Sequence, residues 1–523
     1  MQNGSREFVL EGAGATPDLL DSVAQGTGHA FTCGEEGPVR RVRRTWLDTF
    51  DWRLYRAGLA LEQQAGRAGT ELVLTGRDGE RLASLPVSSG NGRAVGWPSL
   101  VTALPAGPLR ELLEPVAGVR ALAPVARAVS EVRERRVLNS DQKTVARLSV
   151  DSMTVSYPAR AQAPPRLAVC AVRGYQAQVG RLSASLAACC GAQASDRSAL
   201  EAVLAAAGHQ PAARQAEPEL TAGMPAALAI AAILTVQLDA VEGNLRGTIR
   251  DVDTEFLHDL RVAVRRTRSV LKLGGQVLPD RLADAYRPEF RWLGDLTTPG
   301  RDLDVYLLGF AAMAGGLIGA EPEDLLPFRD YLIQARAAAY RDLSRGLRSA
   351  RFTRLASGWR AALAQVRPGR RQPAAAQFAG ARIAVAQRRA VRAGLRITAA
   401  SPASDLHDLR KRCKELRYLL EMFGPLYDPA QRWQAIRELK ALQDCLGEFQ
   451  DAEVQHAEIR AFATQMVAQH SAPAQTLLAM GEIAAGLALR QRRARSEFDG
   501  RFAAFARPAS QQRLTALTQV SGA

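Results

Sequence analysis

The sequence predicts an α+β chain of two domains, an antiparallel β half followed by an all-α half, and three observations carry that prediction. From Glu7 to about Val172, short apolar stretches alternate with Gly and Pro, the pattern of strands and turns. From about Ala222 onward nearly every segment has a 3.6-residue apolar period, the pattern of amphipathic helices. The second half also matches itself at one constant offset of 149 residues, which marks an internal repeat.

Within the first half, Glu71 to Thr75, Val132 to Leu138, Thr144 to Asp151 and Leu167 to Val172 read as strands. Thr144 to Val150 alternates apolar and polar residues strictly, as a half-buried strand must. Helical segments are expected at Pro17 to Gln25, Gly107 to Leu113 and Gly174 to Ala188. Pro211, Pro218 and Pro225 punctuate an Ala-, Gln- and Gly-rich stretch, so the boundaries are set at 1–190 for the β domain, 191–215 for a linker and 216–507 for the helical domain. The repeat halves run from about 222 to 365 and from 375 to 507, separated internally by breakers such as Pro279, Pro299, Pro368, Pro402 and Pro425. The polar residues 508–523 are expected to be a flexible tail.

Composition narrows the class. The chain has 523 residues, 47% hydrophobic and 23% charged, an ordinary globular make-up that excludes a disordered or fibrous protein. The net charge is +15, carried by 63 arginines and five lysines, and the arginine fork suits bidentate contact with phosphate. None of the six cysteines forms a C-x-x-C pair, which counts against a zinc ribbon and fits a reduced, cytoplasmic setting. Met1 to Leu20 carries Glu7, Glu11 and Asp18 and reads as no signal peptide. Ala222 to Leu238, interrupted by Pro225 and Gln237, is shorter than the roughly 20 residues of a spanning helix. It is expected to be a buried helix, and no membrane partner is expected. Trp292 and Trp433 are also expected in the core.

The repeat carries the chemistry. His258-Asp259-Leu260-Arg261 aligns with His407-Asp408-Leu409-Arg410, then Arg265 with Lys414, Arg268 with Arg417 and Leu271 with Leu420. On a helix, His258, Arg261, Arg265, Arg268 and Lys272 line one face, beside an apolar face of Leu260, Val264, Thr267 and Leu271. His407, Arg410, Lys414 and Arg417 repeat the stripe beside Leu406, Leu409, Cys413, Leu416 and Leu420. A third stripe, Arg382, Arg389, Arg392 and Arg396, lies in residues 351–400, which hold eleven Arg and no acid. Like charges at these spacings repel, so something anionic should face them. One candidate is the repeat's own acids, Asp295, Asp302, Asp304 and Asp444, Asp451, Glu453. The other is a polyanion, held by the forks, the histidines and helix ends capped by Thr254 and Ser404.

These paired H-D-L-R-x3-[RK]-x2-R helices resemble the CHAD domain. The resemblance implies two helical bundles about a pseudo-twofold axis and a basic channel that binds inorganic polyphosphate, lined here by His258, Arg261, Arg265, Arg268, His407, Arg410, Lys414 and Arg417. It further implies, in some members, association with polyphosphate granules. The segment Trp46 to Leu61 (WLDTFDWRLYRAGLAL) is similar to the CYTH domain, the antiparallel tunnel, or barrel, of the triphosphate tunnel metalloenzymes. In that family tunnel acids hold Mg²⁺ or Mn²⁺ and tunnel cations hold triphosphate. This chain departs from the pattern: it has Glu7-Phe8-Val9-Leu10-Glu11 in place of E-x-E-x-K, Glu62-Gln63-Gln64 in place of basic residues, Thr75, Arg147 and an apolar Leu167 to Val172.

The expectation is therefore a polyphosphate-binding protein without a catalytic residue or resident metal, whose β domain could hold anions on Arg41, Arg43, Arg53, Arg133, Arg135, Lys143 and Arg147. The alternatives are a Mg²⁺- or Mn²⁺-dependent phosphohydrolase built on Glu11, Glu131 and Asp151, and a nucleic-acid binder. Aromatic residues, 6% of the chain, do not interleave with the stripes as stacking platforms would.

Overall fold

A computed structural model describes residues 5–9, 32–77, 79–87, 96–190, 193–194, 197–211, 217–279 and 281–519. The chain divides into two compact units, Met1–Gln215 and Ala216–Ala523. The helix expected over Pro17 to Gln25 lies outside the described residues.

The first unit is a twelve-stranded antiparallel sheet. Its elements in chain order are β1 (Ser5–Val9), β2 (Thr32–Glu36), β3 (Arg40–Thr49), α1 (Arg53–Arg56), β4 (Leu59–Gly66), β5 (Gly69–Gly76), β6 (Arg81–Val87), β7 (Ser99–Leu100), α2 (Pro108–Ala117), β8 (Ala121–Leu138), β9 (Thr144–Tyr157), β10 (Ala161–Gln162), β11 (Arg166–Ala171), α3 (Gln176–Cys190), β12 (Gln193–Ala194) and α4 (Ala199–Ala206). Strands pair in the order β12-β1-β11-β9-β8-β3-β4-β5-β6, with β10 on β9 and with β2 and β7 on β8. Alternation puts Leu148, Leu167 and Val169 under α3, and Leu47, Leu61, Leu72 and Leu74 under α2.

The expected linker is partly structured. Ser198 and Glu201 form a reciprocal capping box that opens α4. Leu200, Val203 and Leu204 then pack with Trp46, Ala126 and Met153. An Ala-rich segment reads as linker by composition, but three apolar residues on one face are enough to dock it.

The second unit is all-helical. Its helices are α5 (Ala226–Ile249), α6 (Thr254–Gly274), α7 (Leu282–Leu308), α8 (Phe310–Ala314), α9 (Leu326–Leu347), α10 (Ala350–Ala364), α11 (Ala375–Gly394), α12 (Ala403–Met422), α13 (Pro429–Ala468), α14 (Ala474–Ala506) and α15 (Pro508–Gln519). The repeat is visible in the elements, since α6 and α12 start 149 residues apart. Helix α5 is long and apolar enough to cross a membrane by composition alone, yet its Ile230, Ile233, Leu234, Leu238 and Val241 are buried in the main core beside α6, α10 and α11.

Three expectations about this unit are corrected. Pro299 lies inside α7, because burial of Leu293, Thr297, Gly300 and Leu303 on one face outweighs the backbone hydrogen bond that a mid-helix proline forfeits. The expected flexible tail is α15 up to Gln519, with Leu514 and Leu517 buried in the main core. Trp433 is 60% exposed beneath the Arg437 guanidinium, while Trp359 is the fully buried tryptophan of this core. Trp292 packs partly buried against the core under Arg351.

Candidate functional site

Helix α6 begins at Asp253, whose carboxylate accepts hydrogen bonds from Glu255 N at 2.9 Å and Phe256 N at 3.2 Å. The cap is thus one residue before Thr254, as suits an extended residue with a charged acceptor. Helix α12 starts after Pro402 with no side-chain cap, not at Ser404. The apolar faces are buried in both copies: Leu260, Val264, Thr267 and Leu271 are at most 2% exposed, and so are Leu406, Leu409, Cys413, Leu416 and Leu420. Burial of these faces fixes the rotation of each helix and directs the basic stripes away from the core.

The two stripes meet. Lys272 of α6 pairs with Glu415 of α12, and Arg266 reaches Glu421 at 3.4 Å. Arg265 is among the charges that act on Lys414. Helices α6 and α12 therefore lie side by side, with a cluster of cations from both copies between them.

The copies differ in how their charges are compensated. In the second, the Arg410 guanidinium donates to Gln450 Oε1 at 2.8 Å and Asp451 Oδ1 at 2.9 Å, and Arg417 donates to Glu421 at 2.6 Å. His407 Nε2 lies 2.9 Å from Glu453 Oε2, although neither atom has an aligned hydrogen bond. In the first copy, Arg261 donates to neutral oxygens of α7: Thr298 Oγ1 at 2.7 Å, Thr297 Oγ1 at 3.3 Å and the Gly294 carbonyl at 3.4 Å. Burial, and then the Arg301 charge, hold His258 below the ordinary imidazole range. Arg301 stands where the second copy has Gln450.

Among the described residues, Arg265, Arg268 and Lys414 make no ion pair. Burial first, then Arg410 and Arg265, pull the half-buried Lys414 ammonium down to about 8, against a weaker pull from Asp451. Arg268 lies over the bare backbone of Gly294, where an added Cβ would stand 2.8 Å from its Nη1. The repeat's acids compensate only in part. Asp451 and Glu453 face the stripe, Asp444 pairs with Lys440 on its own helix, and Asp304 is taken by Arg336 and Tyr340 at 2.6 Å each. Asp302 acts on Arg261 against the opposing fields of Arg265, Arg301 and Arg268.

The third stripe stands apart. Arg382, Arg389 and Arg392 are on α11, and Arg396 lies just beyond its end. None of the four is among the charges acting on His258, Arg261 or Lys414. The sequence reading missed Arg301 and Gly294, both on α7. Their counterparts in the second copy, Gln450 and Gln443, are two of many differences between the copies, so the sequence carried little signal for them.

In the first unit the expected anion-binding residues do not converge. Arg41 pairs with Glu131 at 2.7 Å, Arg53 with Asp51 at 3.0 Å, Arg133 and Arg135 with Glu36 at 3.3 and 3.5 Å, and Arg147 with Glu134 at 3.5 Å. These are mostly cross-strand pairs of a solvated sheet face. Arg43 and Lys143 are exposed.

The charged interior lies elsewhere. Arg44, on the same strand face as buried Trp46, donates to Glu62 Oε2 at 2.6 Å and to Asp151 Oδ2 at 3.0 Å, and Ser130 donates to the other Asp151 oxygen at 2.5 Å. The acids that a metal site would draw on do not assemble. Asp151 is held by Arg44, Glu131 is turned to Arg41, Glu11 lies outside the described residues, and among the described residues no three His, Cys, Asp or Glu side chains cluster. Among the described residues, these acids do not fit Mg²⁺ or Mn²⁺. Period-2 alternation places Arg44 with Trp46, and this was the signal that the sequence reading passed over.

The conspicuous Asp48-Thr49-Phe50-Asp51 segment is architectural. The buried Asp48 carboxylate accepts from the backbone N–H groups of Thr49, Leu54 and Tyr55 at 2.7 to 2.9 Å, so it caps α1 from the end of β3. Burial pushes its pKa up to about 6 against those three donors.

Comparison with known proteins places the helical unit. The family profile of the CHAD domain matches residues 232–460, within the helical unit. Solved structures similar to it include the CHAD domain from the plant Ricinus communis, at 23% identity with a TM-score of 0.43, covering 58% of this chain and 96% of that one. PptA from Streptomyces chartreusis is 19% identical with a TM-score of 0.43, covering 53% and 99%. Another is HpAC1 from Hippeastrum, studied as an adenylyl cyclase and described by a dominant triphosphatase activity, at 13% identity with a TM-score of 0.27, covering 39% and 96%. No curated protein matches the chain.

Proposed function

We propose that this protein binds inorganic polyphosphate through the cation cluster between α6 and α12. The observation that carries the reading is Lys414, half-buried, without an ion pair, and surrounded by Arg410, Arg265 and Arg417. Burying a cation among cations is costly, and a polymeric anion removes that cost while accepting charge-assisted hydrogen bonds from the forks. The match of residues 232–460 to the CHAD domain supports the same ligand class. The Arg44 clamp argues against a metal-dependent phosphohydrolase in the first unit, since the guanidinium already neutralises the acids a metal would need. Cytoplasmic location, on polyphosphate granules, is part of this proposal.

The test is calorimetric titration of medium-chain polyphosphate into the full chain, wild type beside Arg265→Ala/Lys414→Ala, with folding checked by circular dichroism. Neither side chain makes an ion pair among the described residues, so the fold should survive. Binding by the wild type and at least about tenfold weaker binding by the variant is expected, since each lost charged contact is worth roughly 1.5–3 kcal/mol. Equal affinity would overturn the reading. Release of bound polyphosphate by duplex DNA would favour nucleic acid instead.

A further inference from the structure

A second cleft in the helical unit, of about 1170 Å³, lies between α9, the C-terminal half of α7 and the turn after α5. It shares no residue with the stripes of α6 and α12. Its wall is rigid. Arg336 donates to both oxygens of Asp251 at 2.7 Å and to the buried Asp304 at 2.6 Å, and its guanidinium stacks 3.9 Å from the Tyr340 ring centroid. All three guanidinium nitrogens of Arg336 donate to these carboxylates, so it serves as scaffold and leaves the ligand contacts to its neighbours.

Two chemistries face the opening. Toward one end lie the aliphatic side chains of Ile249, Leu307 and Ile333, and Ile333 is 48% exposed. Toward the other, α9 presents Arg341, Arg345 and Arg348 with the Ser344 hydroxyl between them, at i, i+3, i+4 and i+7 on one helical face. Arg345 shares its charge with Asp342 at 3.1 Å. Arg341 and Arg348 are exposed and make no ion pair among the described residues. A cleft that is apolar at one end and carries two uncompensated guanidinium groups at the other suits neither a bare inorganic anion nor a neutral apolar molecule.

We infer that this cleft binds an organic phosphate monoester with an aliphatic body, its phosphate on Arg341, Ser344 and Arg348 and its carbon chain over Ile249, Leu307 and Ile333. A dianionic phosphate matches the two free charges. The volume is somewhat larger than that of most small-molecule sites, which leaves room for a body of eight or more carbons beyond the headgroup.

The probe is octyl phosphate below its critical micelle concentration, titrated into the full chain beside inorganic phosphate and octyl glucoside. Octyl phosphate should bind at least about tenfold more tightly than either control, since each control offers half of the recognition. Arg341→Ala/Arg348→Ala should lose about tenfold or more in octyl phosphate affinity while keeping polyphosphate affinity, and Arg265→Ala/Lys414→Ala should keep octyl phosphate affinity. Ile333→Asp, on an exposed site where folding is not at stake, should also weaken binding. Octyl phosphate binding no tighter than inorganic phosphate would overturn the inference, and so would binding that survives Arg341→Ala/Arg348→Ala. Because polyphosphate is read on the same variants, failure here and failure of the α6–α12 site are distinguishable.

Discussion

Lys414 should make polyphosphate affinity pH-dependent in a defined window. Its ammonium has been pulled down to about 8 from an ordinary 10.5, and a bound anion favours the charged form and raises that pKa again. Affinity should therefore be full near pH 7 and weaken as pH rises through 8, by no more than about tenfold per pH unit for one proton. Lys414→Arg, charged throughout, should flatten the profile. Dissociation constants at constant ionic strength between pH 6.5 and 9.5 test this, and a wild-type curve as flat as the variant's would refute it. The free fold behaves in the opposite sense. A depressed ammonium costs stability as pH falls from 10.5 through 8, so the ligand recovers what the empty site gives up. Burial and then Arg301 hold the His258 imidazole below its ordinary range, and a bound anion would favour its protonation.

The stripe positions of α6 and α12 and their buried faces were legible because helical period alone decides which residues share a face. The partners across helices were not. That Arg261 would meet Thr298, or that Arg301 would stand by His258, depends on how α7 packs, which no periodicity within α6 encodes.

Elements taught a related lesson. Segments with strong patterns, β5, β11, α2 and α3, were found where expected with ends displaced by a few residues, while β8 begins eleven residues before and β9 ends six residues beyond the stretches expected. The linker expected at 191–215 and the tail expected at 508–523 missed α4 and α15, because a short amphipathic helix needs only two or three apolar contacts, and composition averages these away. Helix α15 is the sharper case. Leu514 and Leu517 are 1% and 2% exposed, in a segment otherwise of Pro, Arg, Ser, Gln, Thr and Ala. Leu514→Ala should cost about 2–5 kcal/mol of stability, read as a lower denaturation midpoint with an unchanged slope by helical circular dichroism. A change below about 0.5 kcal/mol would mean that α15 is an exposed appendage.

For the whole molecule, a net charge of +15 is modest over 523 residues, and five of the seven arginines and lysines singled out on the sheet are spent on carboxylates. Bulk charge therefore does little, and affinity must come from a local set of three to five cations in the helical unit. Counterion release from that many contacts on a single-stranded polyanion predicts roughly ten- to hundredfold weaker binding between 50 and 200 mM salt. Calorimetry across that range checks the number of charges engaged. A flat response would remove the cation cluster as the source of affinity, and a far steeper one would require cations well beyond α6 and α12.

The Arg44 clamp has a consequence of another kind. A divalent ion that neutralises two interior carboxylates is exchangeable, so a fold built around it rises and falls with the ion content of its surroundings and yields to chelators. Arg44 supplies a counter-charge through a covalent tether, always present and unable to diffuse away, with one fork shared between Glu62 and Asp151. The charges of Glu62 and Asp151 are thereby compensated from within the chain.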